Sequence, residues 1–114
     1  MLFPTKGRTL DIIPVGRIAI DFNPTDMNRP LSKSEHFNKY LGGSPANIAV
    51  GMARLKNRVG FLARISDDAF GDFVEDFFKN EGIDVSHVRR CENGESLGLT
   101  FTEILSPTQS SILM

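Results

Sequence analysis

Apolar positions fall in short runs whose period changes along the chain. Residues 11–16, Asp-Ile-Ile-Pro-Val-Gly, make an apolar run ended by glycine, the pattern of a strand covered on both faces of a parallel sheet. Pro14 removes one ladder donor from it. In residues 17–22, Ile18, Ile20 and Phe22 alternate with Arg17, Ala19 and Asp21. That is period two, a strand with one apolar and one polar face. Asn23-Pro24-Thr25-Asp26 breaks it, 27–35 is polar and loop-like, and 36–41 predicts another short strand through Phe37 and Tyr40. Further on, 59–65 reads as a second buried strand. In 69–81, Phe70, Phe73, Val74, Phe77 and Phe78 recur at helical spacing, the strongest periodic signal in the chain. Asp67 or Asp68 caps that helix and Gly82 ends it. Residues 83–88 predict a short strand, 92–95 a turn, 97–105 a strand, 106–109 a turn and 110–114 a returning strand.

Between these elements, Gly42-Gly43-Ser44-Pro45 leads into an Ala-rich run over 46–55. Ser44 is the expected N-cap, with Pro45 at the first helical position. Ile48, Met52 and Leu55 share one helical face, while Ala46, Ala49, Gly51 and Ala53 keep the remaining surface thin. The helix should stop near 56–57, with Asn57 the better left-handed cap. The order strand–helix–strand–helix–strand predicts a parallel α/β sheet with right-handed crossovers. The two-faced strands of 17–41, and again from 97 on, suit a separate small antiparallel layer. No repeat or low-complexity segment is visible.

The chain has 114 residues, with 13 Lys and Arg against 14 Asp and Glu and a net charge of -1. That balance argues against a nucleic-acid binder working by phosphate neutralisation. No apolar run approaches the ~20 residues of a membrane helix, and the first eight residues lack the apolar core of a secretory signal. Cys91 is the single cysteine, which fits a reducing compartment and a cytoplasmic location. Residues 1–10 carry no periodicity and are expected to be a loose arm. A parallel sheet of about three strands buries little apolar surface. The length is therefore expected to be that of a fragment, with Ile112-Leu113-Met114 a cut through a strand.

Candidate chemistry concentrates at few positions. Gly42 and Gly43 before a helix N-terminus let a ligand approach the backbone, where free N–H groups favour an anion or a polar oxygen. The blander reading is a tight turn into a capped helix. The spacing is neither a dinucleotide fingerprint nor a phosphate-binding P-loop. Asn47 falls in the first turn of the same helix. Asp21, near the end of its strand, can accept hydrogen bonds from sugar hydroxyls or simply cap a turn. Arg17 and Arg29 are available to a carboxylate or phosphate, or are merely solvated. His36 and His87 have no partner at metal-ligand spacing, so no metal site is expected. Cys91 has no activating neighbour.

Taken together, these stretches resemble the N-terminal part of the ribokinase-like (PfkB) carbohydrate kinases. The likeness runs from Val15-Gly16-Arg17 into Ile20-Asp21, then through Gly42-Gly43-Ser44-Pro45-Ala46-Asn47-Ile48-Ala49, residues 61–71 and Gly82-Ile83-Asp84-Val85 to Ser96-Leu97-Gly98-Leu99-Thr100. It covers nearly all of 11–114. Asn28-Arg29-Pro30, Phe101-Thr102-Glu103-Ile104 and residues 110–114 are similar to the branch of inositol catabolism that acts on a keto-deoxy sugar acid. Kinases of 2-keto-3-deoxygluconate and of fructose share much of the pattern. The resemblance implies a doubly wound α/β domain, present here only in its N-terminal part, with an inserted β-sheet lid whose strands lie within about 17–41 and 97–114. It implies that Asp21, Gly43 and Asn47 touch the sugar, that Gly42 shapes the turn, and that Arg17 and Arg29 can meet a substrate carboxylate. ATP and Mg2+ are the implied cofactors and a homodimer through the lid the implied assembly. The family's Gly-Ala-Gly-Asp signature, which carries the catalytic base, is absent from these residues. The catalytic residues and most of the nucleotide pocket are thus expected in later chain, and the segment alone is expected to be inactive. A non-catalytic sugar-binding or interaction module is the competing expectation. Two departures stand out: Lys56 where the family has a helix-ending glycine, and Pro14 inside a strand.

Overall fold

A computed structural model describes residues 7–114. The strands are β1 (Ala19–Pro24), β2 (Phe37–Gly42), β3 (Ala63–Ile65), β4 (Val88–Arg90), β5 (Gly98–Ser106) and β6 (Gln109–Leu113). The helices are α1 (Ser44–Arg54) and α2 (Ala69–Asn80), and a single 3-10 turn (Leu31–Lys33) interrupts the polar loop after β1.

The parallel α/β layer is present and explains itself bond by bond. β3 and β4 pair in parallel, and the expected first strand joins them through the parallel bridges Ile12–Val59 and Val15–Leu62. The Gly60 N–H donates to the Ile12 carbonyl and the Leu62 N–H to the Pro14 carbonyl, both at 3.0 Å. Pro14 accepts but cannot donate, so this strand survives only as isolated bridges. The expected strand over 59–65 is continuous only at Ala63–Ile65, and the one expected over 83–88 is displaced to Val88–Arg90, with Asp84 bridging Gly60.

The second layer departs from the sequence expectation. It is a mixed sheet of order β2-β1-β5-β6, in which β1 pairs antiparallel with β2 but parallel with β5. β1 continues the first strand beyond Gly16, and β5 follows β4 out of the same parallel layer. Both leave in one direction and therefore pair in parallel. On one face Phe22 stacks on Phe101 at 5.0 Å and meets Phe70 of α2 edge-on at 6.1 Å, which ties the two layers together.

α2 forms where its phenylalanine stripe predicts. The Asp68 carboxylate accepts from the Phe70 and Gly71 N–H groups at 2.9 and 3.0 Å, and from the Ser66 hydroxyl at 2.6 Å. These bonds, the Ser66 hydroxyl foremost, hold the Asp68 carboxyl below its ordinary range. α1 corrects three expectations. Its N-cap is Gly43, at φ 93°, and Ser44 is already the first helical residue. Its left-handed C′ residue is Lys56, at φ 69°, rather than Asn57. The Lys56 N–H reaches the Ala53 carbonyl and the Asn57 N–H the Met52 carbonyl, the two bonds of a Schellman motif. Finally, the buried face is Ala46, Ala49 and Val50, while Ile48 and Leu55 are 54 % and 74 % exposed. The Gly43 backbone runs against the Arg17 carbonyl and Pro45 packs on Gly16. That close approach sets Ala46 and Ala49 inward beside Val50 and leaves Ile48 and Leu55 outside, while Met52 still packs on the core edge.

The core gathers Ile18, Ile20, Phe61, Ile65, Val74 and Phe78, all at most 3 % exposed. Residues 1–6 of the expected N-terminal arm lie outside the described residues. The Arg8 carbonyl that follows accepts from the Arg58 guanidinium at 2.9 Å, and Arg58 also grips Asp11 at 2.7 Å. No helix among the described residues is long and apolar enough to cross a membrane.

Candidate functional site

The strand register organises one face of the mixed sheet into three successive rungs. Gly42, Ala19 and Gly98 are partners across β2, β1 and β5. Two residues on, Tyr40, Asp21 and Thr100 are partners; two further, Asn38 pairs with Asn23, and Thr102 lies beside Asn23. Partners in a ladder share a face and the side-chain period is two, so these residues line one surface. The first rung holds two glycines and an alanine. A Cβ built on Gly98 would touch only the Ala19 Cβ, at 4.0 Å. The Asp21 carboxylate lies over Gly42 and Ala19 is 2 % exposed, so Gly98 is the exposed member of this rung.

Asp21 is fixed from two sides. The Thr100 hydroxyl donates to Asp21 Oδ1 at 2.5 Å. A Cβ on Gly42 would fall 2.5 Å from both carboxylate oxygens, so the absence of a side chain at Gly42 leaves room for that carboxylate. In the next rung the Thr102 hydroxyl donates to Asn23 Oδ1 at 2.7 Å. Gly43 turns the chain from β2 into α1; its φ of 93° and a Cβ position 2.7 Å from the Arg17 carbonyl restrict it to glycine. The Gly43 carbonyl accepts the Asn47 N–H at 3.0 Å. Pro45 carries no N–H and Ala46 is fully buried, which leaves Ser44 as the exposed first-turn donor.

Of the six residues singled out in the sequence, Asp21, Gly42 and Gly43 come together directly. Asn47 is exposed and borders a cleft of about 280 Å3 between α1, α2 and β2, shared with Lys39, Leu41 and Phe73, where Lys39 and Leu41 belong to the sheet face opposite Asp21. Arg17 contributes its carbonyl against Gly43, while its exposed side chain makes no hydrogen bond to a described residue. Arg29 is likewise exposed; its guanidinium lies 3.7 Å from Asp26, and its N–H donates to the Ile104 carbonyl at 3.2 Å. The arginines are thus not gathered at Asp21. Thr100, Asn23 and Thr102 were not singled out. By pattern Asn23 begins the break after 17–22, whereas β1 runs on to Pro24, and Thr100 and Thr102 fall within the two-faced strand of 97–105; only the β1–β5 pairing, which spans 79 residues, makes them neighbours.

Among the described residues no group of three His, Cys, Asp or Glu side chains converges as a cation site, and no glycine-rich phosphate loop is present. The residues in hand do not fit Mg2+ or the phosphates of a nucleotide.

The chain belongs to the pfkB family of carbohydrate kinases, whose model matches residues 9–114. Among curated relatives it is 71 % identical over 109 residues to a 5-dehydro-2-deoxygluconokinase of Clostridium perfringens, covering 96 % of this chain and 32 % of that protein. It is 69 % identical, with the same coverage, to a protein of the same name from Clostridium botulinum. The chain spans about a third of the length of these relatives. Among solved structures, fructokinase from Halothermothrix orenii superposes with a TM-score of 0.79 at 31 % identity, over 91 % of this chain and 37 % of that one. A sugar kinase from Pyrococcus horikoshii in complex with ATP superposes at 0.78 and 26 % identity, over 89 % of this chain and 32 % of that one.

Proposed function

We propose that the protein phosphorylates 5-dehydro-2-deoxygluconate with Mg-ATP, in the cytoplasmic catabolism of inositol, and that residues 11–114 supply its sugar floor and lid. The observation that carries this reading is the identity of 71 % over 109 residues to a kinase of that name. The similarity to the fructokinase structure is far lower, at 31 %.

In this reading a sugar lies against the Tyr40–Asp21–Thr100 rung, beside the Gly43 turn. Asp21 is acceptor-only, and its Oδ1 is already engaged by Thr100. Its remaining lone pairs take the protons of sugar hydroxyls, while the exposed Ser44 N–H at the start of α1 donates to a sugar oxygen. Asn47, in the first turn of the same helix, is a further polar contact in this reading. The mixed sheet is the lid that excludes water, and its exposed β6 edge is where a second subunit pairs. The catalytic base and the groups that hold Mg-ATP belong to the remaining two thirds of a protein of its relatives' length, so the isolated segment turns over no ATP.

A coupled ADP-release assay on the full-length protein tests this directly. Preference for 5-dehydro-2-deoxygluconate supports the reading. Preference for fructose, ribose or 2-keto-3-deoxygluconate overturns the substrate, and no turnover with any sugar favours a non-catalytic sugar-binding module. A coding frame that continues past Met114 into a Gly-Ala-Gly-Asp motif separates kinase from module without any assay.

A further inference from the structure

Asn23 stands one rung beyond Asp21 on the same face, half-buried. Its Oδ1 is taken by the Thr102 hydroxyl at 2.7 Å, which orients the amide and leaves its two N–H donors without a partner among the described residues. Asp21, held in the same way by Thr100, is the opposite case: an acceptor whose free oxygen can only receive protons. The polar wall therefore reads acceptor then donor, with the two rungs roughly 6.6 Å apart along the strand. A simple sugar presents hydroxyls, which satisfy either group. An acceptor-only oxygen, such as a carboxylate, is matched by the donor and rejected by the acceptor.

We infer that Asn23 is a specificity-determining substrate contact, its amide N–H groups donating to the carboxylate end of an open-chain keto sugar acid whose hydroxyls are held at Asp21. This rests on the function proposed above and deepens it, because it assigns a direction to the substrate. The acid end lies toward Asn23, and the carbon that receives the phosphoryl group lies away from it. An open six-carbon chain is long enough to engage both rungs.

The test is Asn23→Asp in the full-length enzyme. The substitution is isosteric and still accepts the Thr102 hydroxyl, but sets a carboxylate against the substrate's acid end. KM for 5-dehydro-2-deoxygluconate should rise at least tenfold and KM for its neutral C1 amide less than threefold, with KM for ATP unchanged. Asn23→Ser, which shortens the side chain without adding charge, should raise KM for the acid and for the amide alike. Equal shifts for acid and amide in Asn23→Asp, or no shift for either, overturn the assignment. A wild type that phosphorylates neither compound overturns the proposed function itself, which is a different result. Should Asn23→Asp not fold, an unchanged KM in Asn23→Ser overturns the assignment on its own.

Discussion

The two helices end in the same motif with different residues, and this gives an internally controlled prediction. After α2, Gly82 sits at φ 75°, with its N–H on the Lys79 carbonyl and the Ile83 N–H on the Phe78 carbonyl. After α1, Lys56 sits at φ 69° and makes the equivalent pair of bonds through Ala53 and Met52. A non-glycine residue in the left-handed region costs roughly 1–2 kcal/mol. Replacing it with glycine forfeits about 0.4–1 kcal/mol through the freer unfolded chain, and removing an exposed cation from a helix C-terminus forfeits about 0.3 kcal/mol more. Lys56→Gly should thus stabilise the protein by about 0.5 kcal/mol. At Gly82 an added Cβ meets nothing within 4 Å, so conformation alone decides. Gly82→Ala should destabilise by about 0.5–1 kcal/mol. Urea unfolding followed by circular dichroism, at equal m-values, reads both. Opposite shifts of the midpoint are expected. A lower midpoint for Lys56→Gly, or an unmoved one for Gly82→Ala, refutes the reasoning.

Three further outcomes follow from the site and the first strand. Asp21→Asn in the full-length enzyme should cut kcat/KM for the sugar by about 10–100-fold, because hydrogen bonds to a charged group contribute about 1.5–3 kcal/mol; KM for ATP should not move, as initial-rate kinetics with both substrates will show. Gly42→Ala places a Cβ 2.5 Å from both Asp21 oxygens, so the carboxylate must shift. Its kinetics should approach those of Asp21→Asn while its melting temperature stays closer to wild type than that of Gly43→Ala, which also meets a forbidden φ. Asp11 is held at about 2, against an ordinary 3.8, chiefly by its hydrogen bond from the Arg58 side chain. A depressed folded value means that the stabilisation is present above pH 3.8 and is lost as pH falls toward 2. Acid titration of stability should show a step in that window that Asp11→Asn lacks.

What could be read from the sequence was whatever is local. α2 was legible because its stripe, its Asp68 cap and its Gly82 stop all lie within one stretch of chain, and each acts on neighbours a few residues away. α1 was legible as a helix but not in its orientation. Ile48, Met52 and Leu55 form the apolar stripe by pattern, yet the close approach of Gly43 to the Arg17 carbonyl turns Ala46, Ala49 and Val50 inward. The cap at Lys56 was hidden because residue preference points to Asn57, while the geometry of the last turn falls one residue earlier. At the site, Asp21 and Gly42 could be named from motif and position. The clamp from Thr100 could not, because alternation tells which face a residue occupies and says nothing about which distant strand lies beside it. The parallel pairing of β1 with β5 is the fact that joins Asp21 to Thr100 and Asn23 to Thr102.

The central claim is that the polar sheet face around Asp21 holds the sugar acid. Calorimetric titration of 5-dehydro-2-deoxygluconate into full-length wild type and Asp21→Asn, without nucleotide, tests it most directly. Saturable binding to wild type, weakened at least tenfold in Asp21→Asn at unchanged melting temperature, is the predicted result. Equal affinity in the two proteins would contradict it.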